Sequence, residues 1–310
     1  MHHVLRTHWK GYADEQLARA LRPENRGRTI ALDFDNTCIE GDTGELLHVF
    51  LSERLLWDLP RFVRCVALED GRAELQQLVE RWKAGEAVRQ ELIDTLIVAF
   101  PRRLTRTGAL ETYRWATQLH ADQPVQDLQD QALKMLLHEA QQPRQRREFG
   151  ASIGESLQVV GGIRTRPALV TLIQHAEAQG LEPWIVSATN EWTVDVAARD
   201  FGIPPTRVIG NRSRVKDGRI LRERDTPVTW RAGKVEAFTQ LVSADRRPVL
   251  AIGDSWTDFE LLGYAEDAIL IDRGDEALRS EARHRGWGIV PEAAFETTPW
   301  GAGLAYSATK

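Results

Sequence analysis

From Leu46 to Gln158 the apolar residues of this chain recur at helical spacing, and almost nowhere do they alternate as a half-buried strand would. Leu75, Leu78, Val79 and Trp82 mark one face of a helical repeat, and Leu92, Leu96 and Ile97 mark another. Pro60, Pro101, Pro124 and Pro143 punctuate the stretch. Proline lacks an N–H and its ring collides with the preceding turn, so each is expected to end a helix. The spacing predicts roughly four to six helices here, and no sheet.

The flanking segments read differently. Thr29–Leu32 (TIAL) is a short apolar run closed by acidic residues, the pattern of a strand buried on both faces. After Gly161-Gly162 the pattern becomes an alternation. Helices are expected at 167–179, 191–201, 233–242 and 256–262, and strands at 184–186, 207–210, 248–252 and 268–271. Pro167 near the first helix start and Gly180 just past its end follow the usual asymmetry of helix termini. The segment NRSRVKDGRI (211–220) predicts a hairpin turning at Asp217-Gly218. Strands alternating with helices imply a parallel sheet covered on both faces. The expected fold class is therefore α/β, a Rossmann-like parallel sheet core with an inserted all-α domain. The core takes residues 1–45 and 159–310, the helical domain 46–158. Residues 1–27 read as a polar, Arg-rich lead-in with a helix near Ala13–Leu21.

Composition excludes several classes. With 42% hydrophobic and 27% charged residues in 310, the chain has the apolar mass of a globular protein. A net charge of −5 offers no basic excess for nucleic acid. Arg144, Arg146 and Arg147 read as a solvated helix face. Two cysteines, Cys38 and Cys65, make no disulfide framework and no CxxC zinc pair. The first residues, MHHVLRTHWKGYADEQ, have no apolar signal core, and no run approaches the ~18 residues that span a bilayer. A cytoplasmic protein with no membrane partner is expected. The histidines show no metal-ligand spacing.

Open parallel sheets bind ligands beyond the carboxyl ends of their strands. Beyond TIAL stand Asp33, Asp35 and Thr37; beyond the 184–186 strand stand Ser187 and Ala188; beyond the 248–252 strand stand Asp254 and Asp258; and Lys234 opens a helix. Carboxylates gathered at one edge repel each other unless a cation relieves them, and oxygen-only donors suit Mg2+. Ser187 and Lys234 suit the oxygens of a phosphoryl group. Phosphoryl transfer follows: Asp33 as nucleophile, Asp35 as acid and base, Asp254 completing the metal site, Asp258 holding a metal-bound water or Lys234. Singly, each has an ordinary reading, such as a turn aspartate, a surface lysine or a serine at a helix entry. The ordered set does not.

That ordered set, DFDNT (33–37), VS (186–187), Lys234 and GDSWTD (253–258), resembles the haloacid dehalogenase superfamily of phosphohydrolases over residues 29–45 and 160–273. An insert just after the first motif is where the phosphoserine phosphatase-like branch carries its helical C1-type cap, and Asn36 is common in the related phosphocholine phosphatases. The resemblance implies that Asp33, the backbone carbonyl of Asp35, and Asp254 bind Mg2+, and that Ser187, Ala188 and Lys234 hold the phosphoryl group. It also implies that an acidic residue nine positions after the nucleophile meets a substrate amine. Asp42 falls there, with Glu40 close by, although Asp42 and Glu45 also fit a helix capping pattern. Ser187-Ala188-Thr189-Asn190 and Ser255-Trp256-Thr257 depart from the family's commoner motifs, which weakens a strict phosphoserine assignment. The expected function is a magnesium-dependent phosphomonoesterase acting on a small phosphorylated metabolite through an aspartyl-phosphate, with an amine-bearing substrate such as phosphoserine or phosphocholine in view. Phosphotransfer to another acceptor, another hydrolysis on the same core and a catalytically silent binding protein are the alternatives. An aromatic cage from Trp57, Trp82 or Trp115 would suit a quaternary ammonium group.

Overall fold

A computed structural model describes residues 7–66 and 71–302. The first six residues of the expected lead-in, and the last eight of the expected core, lie outside the described residues. The chain forms two compact units: 1–42, 163–212 and 226–310 make one, and 43–162 with 213–225 make the other.

The first unit is built on one six-stranded sheet. In chain order its strands are β1 (Thr29–Leu32), β2 (Glu182–Asn190), β3 (Val208–Asn211), β4 (Leu250–Gly253), β5 (Asp267–Asp272) and β6 (Gly288–Pro291). Their spatial order is β6-β5-β4-β1-β2-β3, and every pairing is parallel. The direction of winding reverses at β1, so the ligand crevice of such a sheet opens at the carboxyl end of β1. The register sets Leu32 beside both Ile252 and Ile185. Short runs such as TIAL and LAIG suffice because both faces are covered, and residues 250–253 are all buried. Ala31, Val186, Ile209 and Ala251 from the strands pack with Phe238, Leu261 and Leu262 from the helices Ala232–Leu241 and Phe259–Tyr264. Each such large side chain contributes roughly 1.5–3 kcal/mol by leaving water. The helix near the N-terminus spans Asp14–Ala20, and Arg19 ties it to Asp267 at 2.7 Å.

The second unit holds the helices Thr43–Glu53, Leu59–Cys65, Arg72–Lys83, Arg89–Thr107, Ala109–Gln118 and Val125–Gln141. Several expectations need correction. The stretch is not free of sheet, because Gln145–Phe149 and Leu157–Gly161 pair antiparallel. Arg146 and Arg147 therefore lie on a strand rather than a helix face, and Arg147 Nη2 donates to buried Glu139 at 2.9 Å. The hairpin Ser213–Lys216 with Arg219–Arg224 turns at Asp217-Gly218 as expected, both with positive φ, but it belongs to this unit and not to the core. Pro101 does not end a helix; it lies inside Arg89–Thr107. Its missing N–H frees the carbonyl of Ile97, and the buried ring of His48 sits at this point, with Nε2 2.8 Å from the carbonyl oxygen of Leu96. Trp57 and Trp115 form no cage: both are buried, both pack on Phe62, and their indole N–H groups donate to Ser52 Oγ and the Cys65 carbonyl.

Candidate active site

Asp33 leaves the sheet at the reversal point. Its amide donates to the Ile252 carbonyl at 2.9 Å, so the ladder with β4 runs one residue past Leu32 and fixes the backbone that carries the carboxylate. Phe34 anchors the next position edge-on against Phe201. The chain then turns at Asn36, whose φ of 59° is left-handed, a region that asparagine tolerates better than most residues. The Asn36 amide donates to the Gly41 carbonyl at 3.0 Å, and Gly41 N donates to Asn36 Oδ1 at 3.3 Å.

Lys234 is fully buried and bridges two carboxylates. Its Nζ stands 2.5 Å from Asp33 Oδ1 and 2.5 Å from Asp258 Oδ1. Gly233 lets that helix begin against the loop before it, since a Cβ there would lie 1.8 Å from the Val228 carbonyl oxygen. Burial would strip this lysine of its proton, but Asp258 and Asp33 outweigh it and hold the pKa above the ordinary value. Asp258 is held in turn: its Oδ2 accepts from the amides of Asp254 at 3.1 Å and Ser255 at 3.2 Å. Gly253 makes room, because a Cβ would lie 2.5 Å from that of Asp258.

Asp254 sits at the end of β4. Arg273 Nη1 donates to its Oδ2 at 2.8 Å and the Thr37 hydroxyl donates to its Oδ1 at 3.3 Å. Burial and the charge of Asp258 push Asp254 up to about 6 against the pull of Arg273. Burial, then Asp258, pushes Asp33 well above the usual carboxylate range, and Lys234 only partly opposes them. One oxygen each from Asp33, Asp254 and Asp258 lies within 4.8 Å of the others. The protein's own cations do not neutralise this cluster comfortably, and its donors are hard oxygens. It fits a divalent metal ion. The carboxylate cluster brings together the expected Asp33 and Asp254 and adds Asp258, although Lys234 and two amides already occupy the Asp258 side chain; the third expected donor is the Asp35 backbone carbonyl, which is not a carboxylate.

The Asp35 carboxylate takes another direction. The Thr189 hydroxyl donates to its Oδ2 at 2.8 Å, and Ser187 Oγ lies 3.4 Å from the same oxygen. The Ser187–Thr189 end of β2 is pinned from behind. Thr229 Oγ1 donates to the Ser187 carbonyl at 2.6 Å, Asn211 Nδ2 donates to the Ala188 carbonyl, and Thr229 N returns a bond to Asn211 Oδ1 at 3.1 Å. Glu40 ends a short strand paired with Arg164–Thr165. Asp42 is half-buried, and with Asp254 and Glu292 it supports the charge of Arg273. Sequence reasoning singled out neither Arg273 nor Thr189 as a site residue. The first immediately follows β5 at the same edge as the motifs, and the second stands two residues past Ser187, so position relative to strand ends was the available signal.

Residues 125–263 match the haloacid dehalogenase-like hydrolase family, a span that holds Ser187, Lys234, Asp254 and Asp258 and begins after Asp33. None of the curated proteins matches the sequence. A conserved protein of unknown function from Anaerococcus prevotii shares the fold with a TM-score of 0.73 and 20% identity, over 88% of this chain and 87% of that one. A protein of unknown function from Bordetella pertussis has a TM-score of 0.55 and 20% identity, over 86% and 99%. A phosphoserine phosphohydrolase-like protein from Francisella tularensis aligns with a TM-score of 0.41 and 18% identity, over 82% and 92%. For the first two, at 20% identity, the likeness is one of fold.

Proposed function

We propose that this haloacid dehalogenase-like hydrolase is a magnesium-dependent phosphatase that uses Asp33 as a covalent nucleophile. One observation carries the reading: a buried lysine joins Asp33 to Asp258, a third carboxylate completes an oxygen cluster, and Asp35 stands apart, hydrogen-bonded by a hydroxyl. Asp33, Asp254 and the Asp35 backbone carbonyl would hold the cation. When bound, it neutralises the developing charge on the phosphoryl oxygens.

The residues then divide the work. Asp33 attacks phosphorus and forms an acyl-phosphate, while the bond from phosphorus to the leaving oxygen breaks. Asp35 gives its proton to that oxygen. In the second half Asp35 takes a proton from water, the water oxygen bonds to phosphorus, and the acyl-phosphate opens to restore the Asp33 carboxylate and free phosphate. Lys234, Ser187 and the Ala188 amide hold the phosphoryl oxygens. Lys234 also keeps Asp33 oriented, and Thr189 keeps Asp35 turned toward the leaving group. The helical unit is the cap in this reading, and a small phosphorylated metabolite is the substrate. An amine-bearing leaving group is supported by Asp42 and Glu40, but Arg273 partly answers the charge of Asp42.

Phosphate release from p-nitrophenyl phosphate tests the reaction. The wild type should be active with Mg2+, lose activity in EDTA, and lose all covalent turnover as Asp33→Asn. An inactive wild type across a broad panel of phosphorylated metabolites, or an equally active variant, refutes it. Products formed with and without added alcohols separate hydrolysis from phosphotransfer.

A further inference from the structure

The turn after Asp33 has few hydrogen bonds of its own for its last carbonyls, and one residue collects them. Arg166 Nη1 donates to the carbonyls of Asn36, Thr37 at 2.9 Å and Ile39 at 2.8 Å, while the Arg166 amide donates to the Cys38 carbonyl at 3.2 Å. Four consecutive carbonyls thus meet a single arginine. It is fully buried, and Glu292 balances it at 2.8 Å. A buried guanidinium is costly unless it is paired and its donors are used, so a site of this kind has a task that a hydrophobic residue could not perform.

That task follows from what the turn carries. Thr37, whose carbonyl Arg166 holds, donates its hydroxyl to Asp254 Oδ1. The other oxygen of Asp254 receives Arg273, and Arg273 Nε lies 3.8 Å from the same Glu292 oxygen that pairs with Arg166. The contacts close a ring: Thr37, Asp254, Arg273, Glu292, Arg166 and back to Thr37. Arg273 and Glu292 lie beyond residue 263, outside the span that matches the family.

We propose that Arg166 is a positioning residue for the cation site, holding the 36–39 turn so that Thr37 presents Asp254 to the metal. Arg166 touches neither substrate nor metal and acts through Thr37. The inference rests on the cation reading of the Asp33–Asp254 cluster given above.

Calorimetric titration of the substrate-free protein with Mg2+ alone, and with Mn2+ alone, tests it. Residues that orient a metal ligand typically change affinity by about 10–100-fold when altered. Arg166→Lys keeps the charge but loses the planar fork, and should raise the dissociation constant roughly 10-fold. Thr37→Val removes only the hydroxyl and should do the same. Because both act along one path, Arg166→Lys with Thr37→Val should be no weaker than about twice the worse single variant. A double variant whose two losses multiply, or an Arg166→Lys protein that binds metal as the wild type does, overturns the proposal. If Arg166→Lys does not fold by circular dichroism, Glu292→Gln takes its place in the same cycle with the same criterion. A wild type that binds neither ion sinks the cation reading itself, whereas normal wild-type binding with multiplying losses sinks only the role of Arg166.

Discussion

Lys234→Met is the substitution whose consequences the geometry defines most sharply. The side chain keeps its length and loses its charge, so two buried carboxylates that each stood 2.5 Å from an ammonium lose it together, with Asp254 beside them. Removing one partner of a buried ion pair costs about 3–5 kcal/mol, because the other charge is left uncompensated. For a domain of this size that corresponds to a melting point lower by on the order of 10 °C. The loss has a pH signature. Without the lysine, Asp33 gains a folded pKa further above its unfolded one, because Lys234 is the group that opposes its burial. A carboxyl group raised in this way costs stability above its unfolded pKa, and the cost disappears as pH falls through the folded value. The deficit relative to wild type should therefore be largest near pH 8 and shrink toward pH 5. Mg2+ should restore more stability to the variant than to the wild type, since it supplies the missing positive charge. Differential scanning fluorimetry at several pH values, in EDTA and in Mg2+, measures all three effects. A variant that melts within about 2 °C of wild type at pH 8 in EDTA would refute the claim that this lysine neutralises the cluster.

Thr189→Val removes the hydroxyl that donates to Asp35; a bond to a charged group is worth about 1.5–3 kcal/mol, so kcat should fall roughly 10–100-fold with KM nearly unchanged and Thr189→Ser close to wild type. Steady-state kinetics on any accepted phosphomonoester would show it, and a change confined to KM would contradict it. Gly253→Ala puts a methyl 2.5 Å from the Asp258 Cβ; it should cost about 1–3 kcal/mol by overpacking, visible as a lower melting point, and should loosen Lys234 enough to lower activity as well. In the helical unit, burial lowers His48 to about 4, and burial with the charges of His48 and Arg61 lowers His120 to about 3. Both rings stay neutral in the fold while the unfolded chain takes up protons near pH 6.5, so the stability they contribute is complete above that value and is lost as pH falls toward 4. Urea midpoints should drop by the equivalent of a few kcal/mol between pH 7 and pH 4.5, and His120→Asn should flatten that dependence; an unchanged slope would count against it.

Much of the core was legible because its signals are local. TIAL, LAIG and the residues after them need only a count of apolar positions and a rule about strand ends to become a parallel sheet with acids at one edge. The helical unit was harder to read. Its helices follow from spacing, but the strand pair at 145–161 carries charged residues such as Arg146 and Arg147 that mask any alternation. Pro101 broke the usual rule at a point where His48, far away in sequence, meets the carbonyls of Leu96 and Ile97. Trp57 and Trp115 suggested a cage only while their neighbours were unknown.

The sequence alone determined which chemistry was available: Asp33, Asp35, Ser187, Lys234, Asp254 and Asp258 are at strand ends or helix starts because of the residues immediately around them. Only the tertiary structure decided how they are shared out. It joined Lys234 to both Asp33 and Asp258, turned Asp35 toward Thr189, set Arg273 on Asp254, and buried Arg166 under the turn that carries Thr37. The physical reason is range. Strand and helix formation depends on neighbours a few residues apart, whereas the charge, orientation and proton affinity of a buried carboxylate depend on groups that reach it from 19 to 201 positions away in the chain.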